Sequence, residues 1–142
     1  MSKNNEESKT LDLDFKKLKK VAGIESDVLP VVIQDIDSKD VLIVGYMNQL
    51  AFDKSVQTNK VVFWSTSRNE LWEKGQRSGS ELLIRNIYVN CEQNSLLIMV
   101  ELKGSGSCHT KVIRDGEASL DYRKSCYYRR IGANQELAFV SN

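Results

Sequence analysis

Two stretches, "VLPVVIQDIDSKDVLIVGYM" (28–47) and "ELLIRNIYVNCEQNSLLIMVELKG" (81–104), each set two β-prone apolar runs around a short polar break. Branched and aromatic side chains suit a pleated, half-buried surface, and such a break between two runs reads as an antiparallel hairpin. The turns are expected at Asp35–Asp40 and at "EQNS" (92–95). Pro30 has no amide donor, so it belongs at a strand start or edge.

The remaining segments fill in around these hairpins. "DLDFKKLKKVAG" (12–23) has Phe15, Leu18 and Val21 or Ala22 at helical spacing between an Asp and a Gly, which predicts a short amphipathic helix. "NQLAFDKSVQTN" (48–59) predicts a second helix, with Asn48 as N-cap and Leu50, Phe52 and Val56 toward a core. "KVVFWSTSRNELWEKG" (60–75) begins as a strand and turns near Arg68–Glu70. Residues 105–125 read as loop apart from a β-prone patch at Val112–Ile113, and "CYYRRI" (126–131) as a closing strand. The fold class is therefore α+β, mostly antiparallel β with two short helices.

With 142 residues, one domain over 11–142 is expected, behind a polar leader over 1–10 whose composition suits disorder. A net charge of +1 supplies no bulk attraction to nucleic acid or membrane. No apolar run approaches the roughly 20 residues that span a bilayer. The N-terminus lacks the apolar core of a secretory signal, so a reducing, cytoplasmic location is expected.

In a reducing compartment, three cysteines do not read as a disulfide framework. Cys91 ends an apolar stretch and suits a small buried hydrophobe. Cys108, among glycines and polar residues, suits that role poorly. Three thiolates would meet the ligand count of a zinc site that keeps one position open for water, although no CxxC occurs and each ligand would come from a separate segment. His109, the chain's one histidine, adjoins Cys108. It reads as a fourth ligand, as a general acid/base, or as an ordinary surface histidine.

Strand alternation places Ile87, Val89 and Cys91 on one face, and Tyr88, Asn90 and Glu92 on the other. A thiolate thus backs onto oxygen donors (Asn90, Glu92, Gln93, Asn94), a set suited to magnesium or calcium. "WSTSRNELWEKGQRSGS" (64–80) gathers two Trp, five hydroxyls, two Arg and one Lys. Such a loop suits a phosphorylated nucleoside, with a ring to stack on and donors for phosphate; the alternative is a plain hairpin whose tryptophans fill core.

"VLIVGYMN", "FWSTSRNELWEKGQRSG", "CHT" and "SCYYRR", in that order, resemble the phosphoribosyl-AMP cyclohydrolases of histidine biosynthesis over residues 11–131. The resemblance implies hydrolysis of the N1–C6 bond of the adenine ring in phosphoribosyl-AMP, giving ProFAR. It implies zinc on Cys91, Cys108 and Cys126, proton relay by His109, and an intertwined homodimer that shares its zinc sites. It implies nucleotide binding by the 64–79 block, with Ser65, Ser67, Arg68, Lys74 and Ser78 toward phosphate or ribose and Trp72 near the base.

Two departures stand out. The family's D-C-D-x-D, a magnesium site, is "NCEQN" here, so Asn90, Glu92 and Asn94 offer one carboxylate. The short turn between the second and third cysteines is lengthened, and Arg114–Glu117, with "DG" at its centre, reads as an inserted hairpin turn. "GANQELAFVSN" leaves no room for a fused pyrophosphatase domain, so a monofunctional chain is expected. The competing readings are a zinc hydrolase of another purine nucleotide and a noncatalytic zinc-stabilised nucleotide-binding dimer.

Overall fold

The computed structural model describes residues 6–24, 26–74 and 79–140. Strands β1 (Leu29–Asp35) and β2 (Val41–Met47) form the first expected hairpin. A two-residue-per-turn alternation buries Val31, Ile33 and Asp35 along β1. Pro30, the second residue of β1, lies opposite Tyr46 of β2 and ahead of the first rung with the strand on the other side of β1, which begins at Val31.

Helix α1 covers only Lys17–Ala22, shorter than the 12–23 expected, and none of its residues is buried. Asp14 still organises its entry, accepting from Lys16 N at 3.1 Å and from Lys20 Nζ at 2.8 Å. Phe15 lies before the helix and is 89% exposed. Leu18 is exposed too and Val21 only half-buried, so the stripe gains little packing from the described residues, and a weakly packed helix this short is marginal.

Helix α2 (Gln49–Thr58) is capped as expected, Asn48 Oδ1 accepting from Ala51 N at 2.8 Å. Its inward face differs from the expected one. Leu50 and Val56 are 56% and 54% exposed, Phe52 is half-buried, and Ala51 and Ser55 are the buried residues. Small residues let the helix lie close on strand β3 (Val62–Ser65). There Ser55 Oγ accepts from Val62 N (2.9 Å) and lies within donating distance of Ala51 O (2.9 Å) and Val62 O (3.1 Å).

Strand β4 (Glu70–Glu73) returns antiparallel to β3. Strands β5 (Glu81–Val89) and β6 (Leu96–Lys103) form the second expected hairpin. The sheet order is β2-β1-β6-β5, and β1 runs parallel to β6, a seam that local patterning did not indicate. The core gathers Val31, Ile33, Leu42, Met47, Phe63, Leu82, Ile98 and Val100. Gly45 is required there, because a Cβ at that position would lie 2.6 Å from the Phe63 ring.

The stretch read as loop contains a hairpin, β7 (Lys111–Arg114) and β8 (Glu117–Tyr122). Its turn is the Asp115–Gly116 pair, both at positive φ, as the tight turns of right-twisted strands require. The closing strand β9 (Arg129–Ile131) starts three residues later than expected and pairs with β10 (Leu137–Phe139), which was not anticipated. Residues 6–10, in the stretch assigned by composition to the leader, lie against β9 and β10; residues 1–5 fall outside the described residues.

Candidate active site

Inserting β7–β8 does not separate Cys108 from Cys126. The hairpin leaves after Thr110 and returns at Arg123, and the two ends are laced by backbone hydrogen bonds: Cys108 N to Arg123 O (3.0 Å), Arg123 N to Thr110 O (2.9 Å) and Ser107 N to Lys124 O (3.0 Å). Gly106 permits this approach, since a Cβ there would lie 2.2 Å from Arg123 O. The returning chain is pinned to the first hairpin. Lys124 Nζ pairs with Asp40 (3.0 Å) and Asp35 (3.3 Å), Ser125 Oγ donates to Val41 O (2.8 Å), and Cys126 N donates to Leu42 O (2.8 Å).

The result is a thiol pair. Cys108 is buried, and its pKa falls chiefly because the Cys126 thiol donates to it, with Thr110 assisting; its sulfur lies 3.0 Å from Thr110 Oγ1. Cys126 moves the opposite way, through that same hydrogen bond and through burial. One shared hydrogen bond thus acts on the two thiols in opposite directions, easing ionisation of Cys108 and opposing that of Cys126. Buried Lys74 adjoins both: burial depresses its pKa, and the two sulfurs act against that depression. Its ammonium also lies 5.4 Å from the centre of the Trp72 ring.

His109 points to solvent beside the pair, its Nε2 2.7 Å from Glu6 Oε1. Tyr128 donates its hydroxyl to Glu6 O (2.7 Å), and Glu7 takes the guanidinium of Arg123 with both oxygens, at 2.8 and 2.9 Å.

Cys91 is not with the other two. It is exposed, in the turn after β5 rather than at the end of an extended strand, so its expected burial does not occur. Ile87, Tyr88 and Val89, before it, are exposed as well. Among the described residues no three His, Cys, Asp or Glu side chains gather around one point. Two neighbouring thiols, one with its pKa lowered, nonetheless fit a soft divalent metal that finds its remaining donor elsewhere.

The Asn90–Asn94 turn fits magnesium poorly. Asn90 Oδ1 accepts from Asn94 N (2.9 Å) and Ser95 N (3.0 Å), and Asn94 Oδ1 accepts from Asn90 Nδ2 (2.6 Å). Glu92 accepts from Asn94 Nδ2 at 3.1 Å. The amide oxygens are thus engaged within the turn, and a hard cation that wants six or more oxygens would find one carboxylate.

Sequence comparison bears on the whole constellation. The profile of the family described as phosphoribosyl-AMP cyclohydrolase matches residues 43–128. A phosphoribosyl-AMP cyclohydrolase of Solibacter usitatus is 38% identical over 125 residues, covering 88% of this chain and 85% of the relative. Those of Clostridium botulinum (strain Kyoto / Type A2) and Streptococcus mutans are 38% and 41% identical, over 82% and 70% of this chain and 89% and 84% of theirs. The chain belongs to the phosphoribosyl-AMP cyclohydrolase family.

In this chain the β3–β4 hairpin carries the residues expected to hold nucleotide. Ser65 is turned inward, its Oγ accepting from Arg68 N at 3.3 Å and lying 3.4 Å from Ser67 Oγ. Ser67 and Arg68 are exposed, Arg68 pairing loosely with Glu70 at 3.5 Å. Trp64 and Trp72 both pack on the core, and Trp72 meets Phe63 at 5.5 Å between ring centres. Ser78 lies outside the described residues. Lys74, expected toward phosphate or ribose, is buried, with the two thiols and the Trp72 ring near its ammonium. Sequence reasoning missed Thr110 and Arg123, which were legible only as neighbours of the cysteines. It also missed Glu6 and Glu7, which carried no local signal.

Proposed function

We propose that this chain hydrolyses the N1–C6 bond of the adenine ring of 1-(5-phosphoribosyl)-AMP, giving ProFAR in the histidine pathway of the cytoplasm. The observation that carries the reading is the Cys108–Cys126 pair beside an exposed His109, in a chain of this family. Cys108 and Cys126 of one copy would hold zinc together with Cys91 of a second copy. Two features support such a homodimer: Cys91 stands apart from the pair, and it follows the exposed apolar end of β5. When bound, zinc acts as a Lewis acid that acidifies water.

The protein's own groups do the rest. Water adds its oxygen at C6, the C6–N1 bond breaks, and the two water protons end on N1 and on the exocyclic nitrogen, which becomes the carboxamide NH2. His109, exposed and adjacent to the ligand thiolate, takes a proton from the adding water and delivers it to N1. Lys74 balances the charge of the ionised thiols from its buried position. The β3–β4 hairpin presents Ser67, Arg68 and Trp72 to the nucleotide, with Ser65 holding the turn. No step is assigned to magnesium at Asn90–Asn94.

The test is ultraviolet-monitored turnover of phosphoribosyl-AMP by zinc-reconstituted protein. Zinc-dependent turnover supports the reading. Absence of turnover from a folded, zinc-loaded protein moves the weight to another purine nucleotide or to a binding role.

A further inference from the structure

The leader is polar, yet two consecutive residues of it meet two charged or titratable groups beside the thiol pair. Glu6 reaches His109, and Glu7 reaches Arg123. Arg123 is tied by its backbone to both neighbours of His109. Its guanidinium lies 4.1 Å from the centre of the Tyr128 ring and 5.3 Å from that of Phe139, and only 2% of its side chain is exposed. A buried, ring-stacked guanidinium with both outer nitrogens aimed one way is a bidentate anion seat, and the same fork fits a carboxylate or a phosphate. Glu7 and Arg123 lie in the wall of a cavity of about 760 Å³, with Lys9 as a second cation and Phe139 as an apolar face. That volume lies within the range of small-ligand sites.

We propose that Arg123 seats a phosphoryl group of the substrate, and that Glu7 fills this seat in the free enzyme while Glu6 pairs with His109. The segment Glu6–Lys9 then acts as an internal strap that a phosphate monoester displaces. Among the described residues it is also tied by polar bonds from Tyr128 Oη to Glu6 O, from Arg129 to Ser8 O (2.8 Å) and from Leu137 N to Lys9 O (3.2 Å). No apolar anchor among these would hold it against a competing dianion. A site open only part of the time binds with affinity reduced by its open fraction, so loosening the strap raises apparent affinity. The inference rests on the proposed reading for the place of His109 and for a phosphorylated substrate, but its test reads binding alone.

The experiment titrates the full chain with ribose 5-phosphate, with ribose as the phosphate-free control, following arginine side-chain and backbone amide resonances. Glu7→Gln is expected to tighten ribose 5-phosphate binding about tenfold, from the removal of a competing closed state. Adding Arg123→Lys to Glu7→Gln is expected to cancel the gain. In the wild-type chain, ribose 5-phosphate should speed hydrogen exchange at Leu137 N as its acceptor, Lys9 O, departs. This last readout requires no variant to fold. The proposal is overturned if ribose 5-phosphate binds no better than ribose, or if it binds without changing exchange at Leu137. It is also overturned if folded Glu7→Gln and wild type bind alike, as a purely structural ion pair would have it. Zinc-dependent turnover alongside any of these negative results would remove the strap and leave the cyclohydrolase reading intact.

Discussion

Cys108 is buried and Cys126 half-buried, a shared hydrogen bond moves their pKa values in opposite directions, and buried Lys74 lies near both sulfurs. Asn90, Glu92 and Asn94 lie on an exposed turn where each amide oxygen already meets an N–H. Both regions are rich in donors, and both begin as strings of ligand-type residues. The difference is in what the fold leaves unanswered. Two crowded thiols gain from a cation, because it relieves their shared charge and burial cost. A turn whose oxygens are satisfied must lose hydrogen bonds before it can bind one.

The largest effect expected from that contrast is loss of the thiol pair. Cys108→Ser or Cys126→Ser should remove zinc and lower turnover by about three orders of magnitude, the scale of losing a Lewis acid that acidifies water. Cys91→Ser should do the same while leaving the pair's hydrogen bond intact in zinc-free protein. Mixing unfolded Cys91→Ser and Cys126→Ser chains and refolding them should restore about a quarter of wild-type activity, since one complete site forms per mixed dimer. No recovery on mixing would place all three ligands within one chain or remove Cys91 from the site.

Next in size is His109→Ala, expected to keep zinc and lose about 10²–10⁴-fold in turnover, the usual worth of a positioned acid/base. Equal turnover in the mutant would return His109 to the ordinary surface histidine that the sequence also allowed.

The contrast also says how far the sequence could be read. The two hairpins, the Asn48 cap and the Asp115–Gly116 turn were legible because each depends on residues a few positions apart. The thiol pair was legible as a set of residue types but not as a pair plus one. Nothing local says that Thr110 meets Arg123 while Cys91 faces outward. The inward face of α2 was misread because size, not hydrophobicity, decides how close a helix lies to a strand; Ser55 wins over Val56 by bonding Val62. The parallel seam of β1 and β6 and the contacts of Glu6 and Glu7 join segments far apart in the chain, where periodicity carries no information.

A gentler probe of the thiol pair is pH. In zinc-free protein, folded Cys108 loses its proton at lower pH than the unfolded thiol does. From its lowered pKa up to the ordinary thiol value of about 8.5, the unfolded state binds more protons, so stability rises with pH. Above the ordinary value the sign reverses, because folded Cys126 keeps a proton that the unfolded chain has lost. The melting temperature attributable to the pair should therefore peak near pH 8.5. Cys108→Ser should flatten both limbs, since the largest cause of the Cys126 shift is its hydrogen bond to Cys108. A wild-type minus mutant difference that is flat from pH 6 to 10 would mean the sulfurs do not share a hydrogen bond.

The smallest effects belong to the amide turn. Magnesium between chelation and millimolar excess should change zinc-dependent turnover by less than about twofold, because one carboxylate among engaged amides is a weak hard-cation site. Glu92→Ala should fall within about 0.5 kcal/mol of wild-type stability, as an exposed substitution with one hydrogen bond to lose. The informative variant is the reverse one. Asn90→Asp replaces an amide donor to Asn94 with a second carboxylate, and Asn94→Asp adds a third. If the turn is weak only because its oxygens are neutral and already bonded, the double variant should gain magnesium binding detectable by calorimetry while turnover stays near wild type. A gain in turnover with that binding would instead mean that the ion assists the reaction and that the wild-type turn recruits it only with substrate bound.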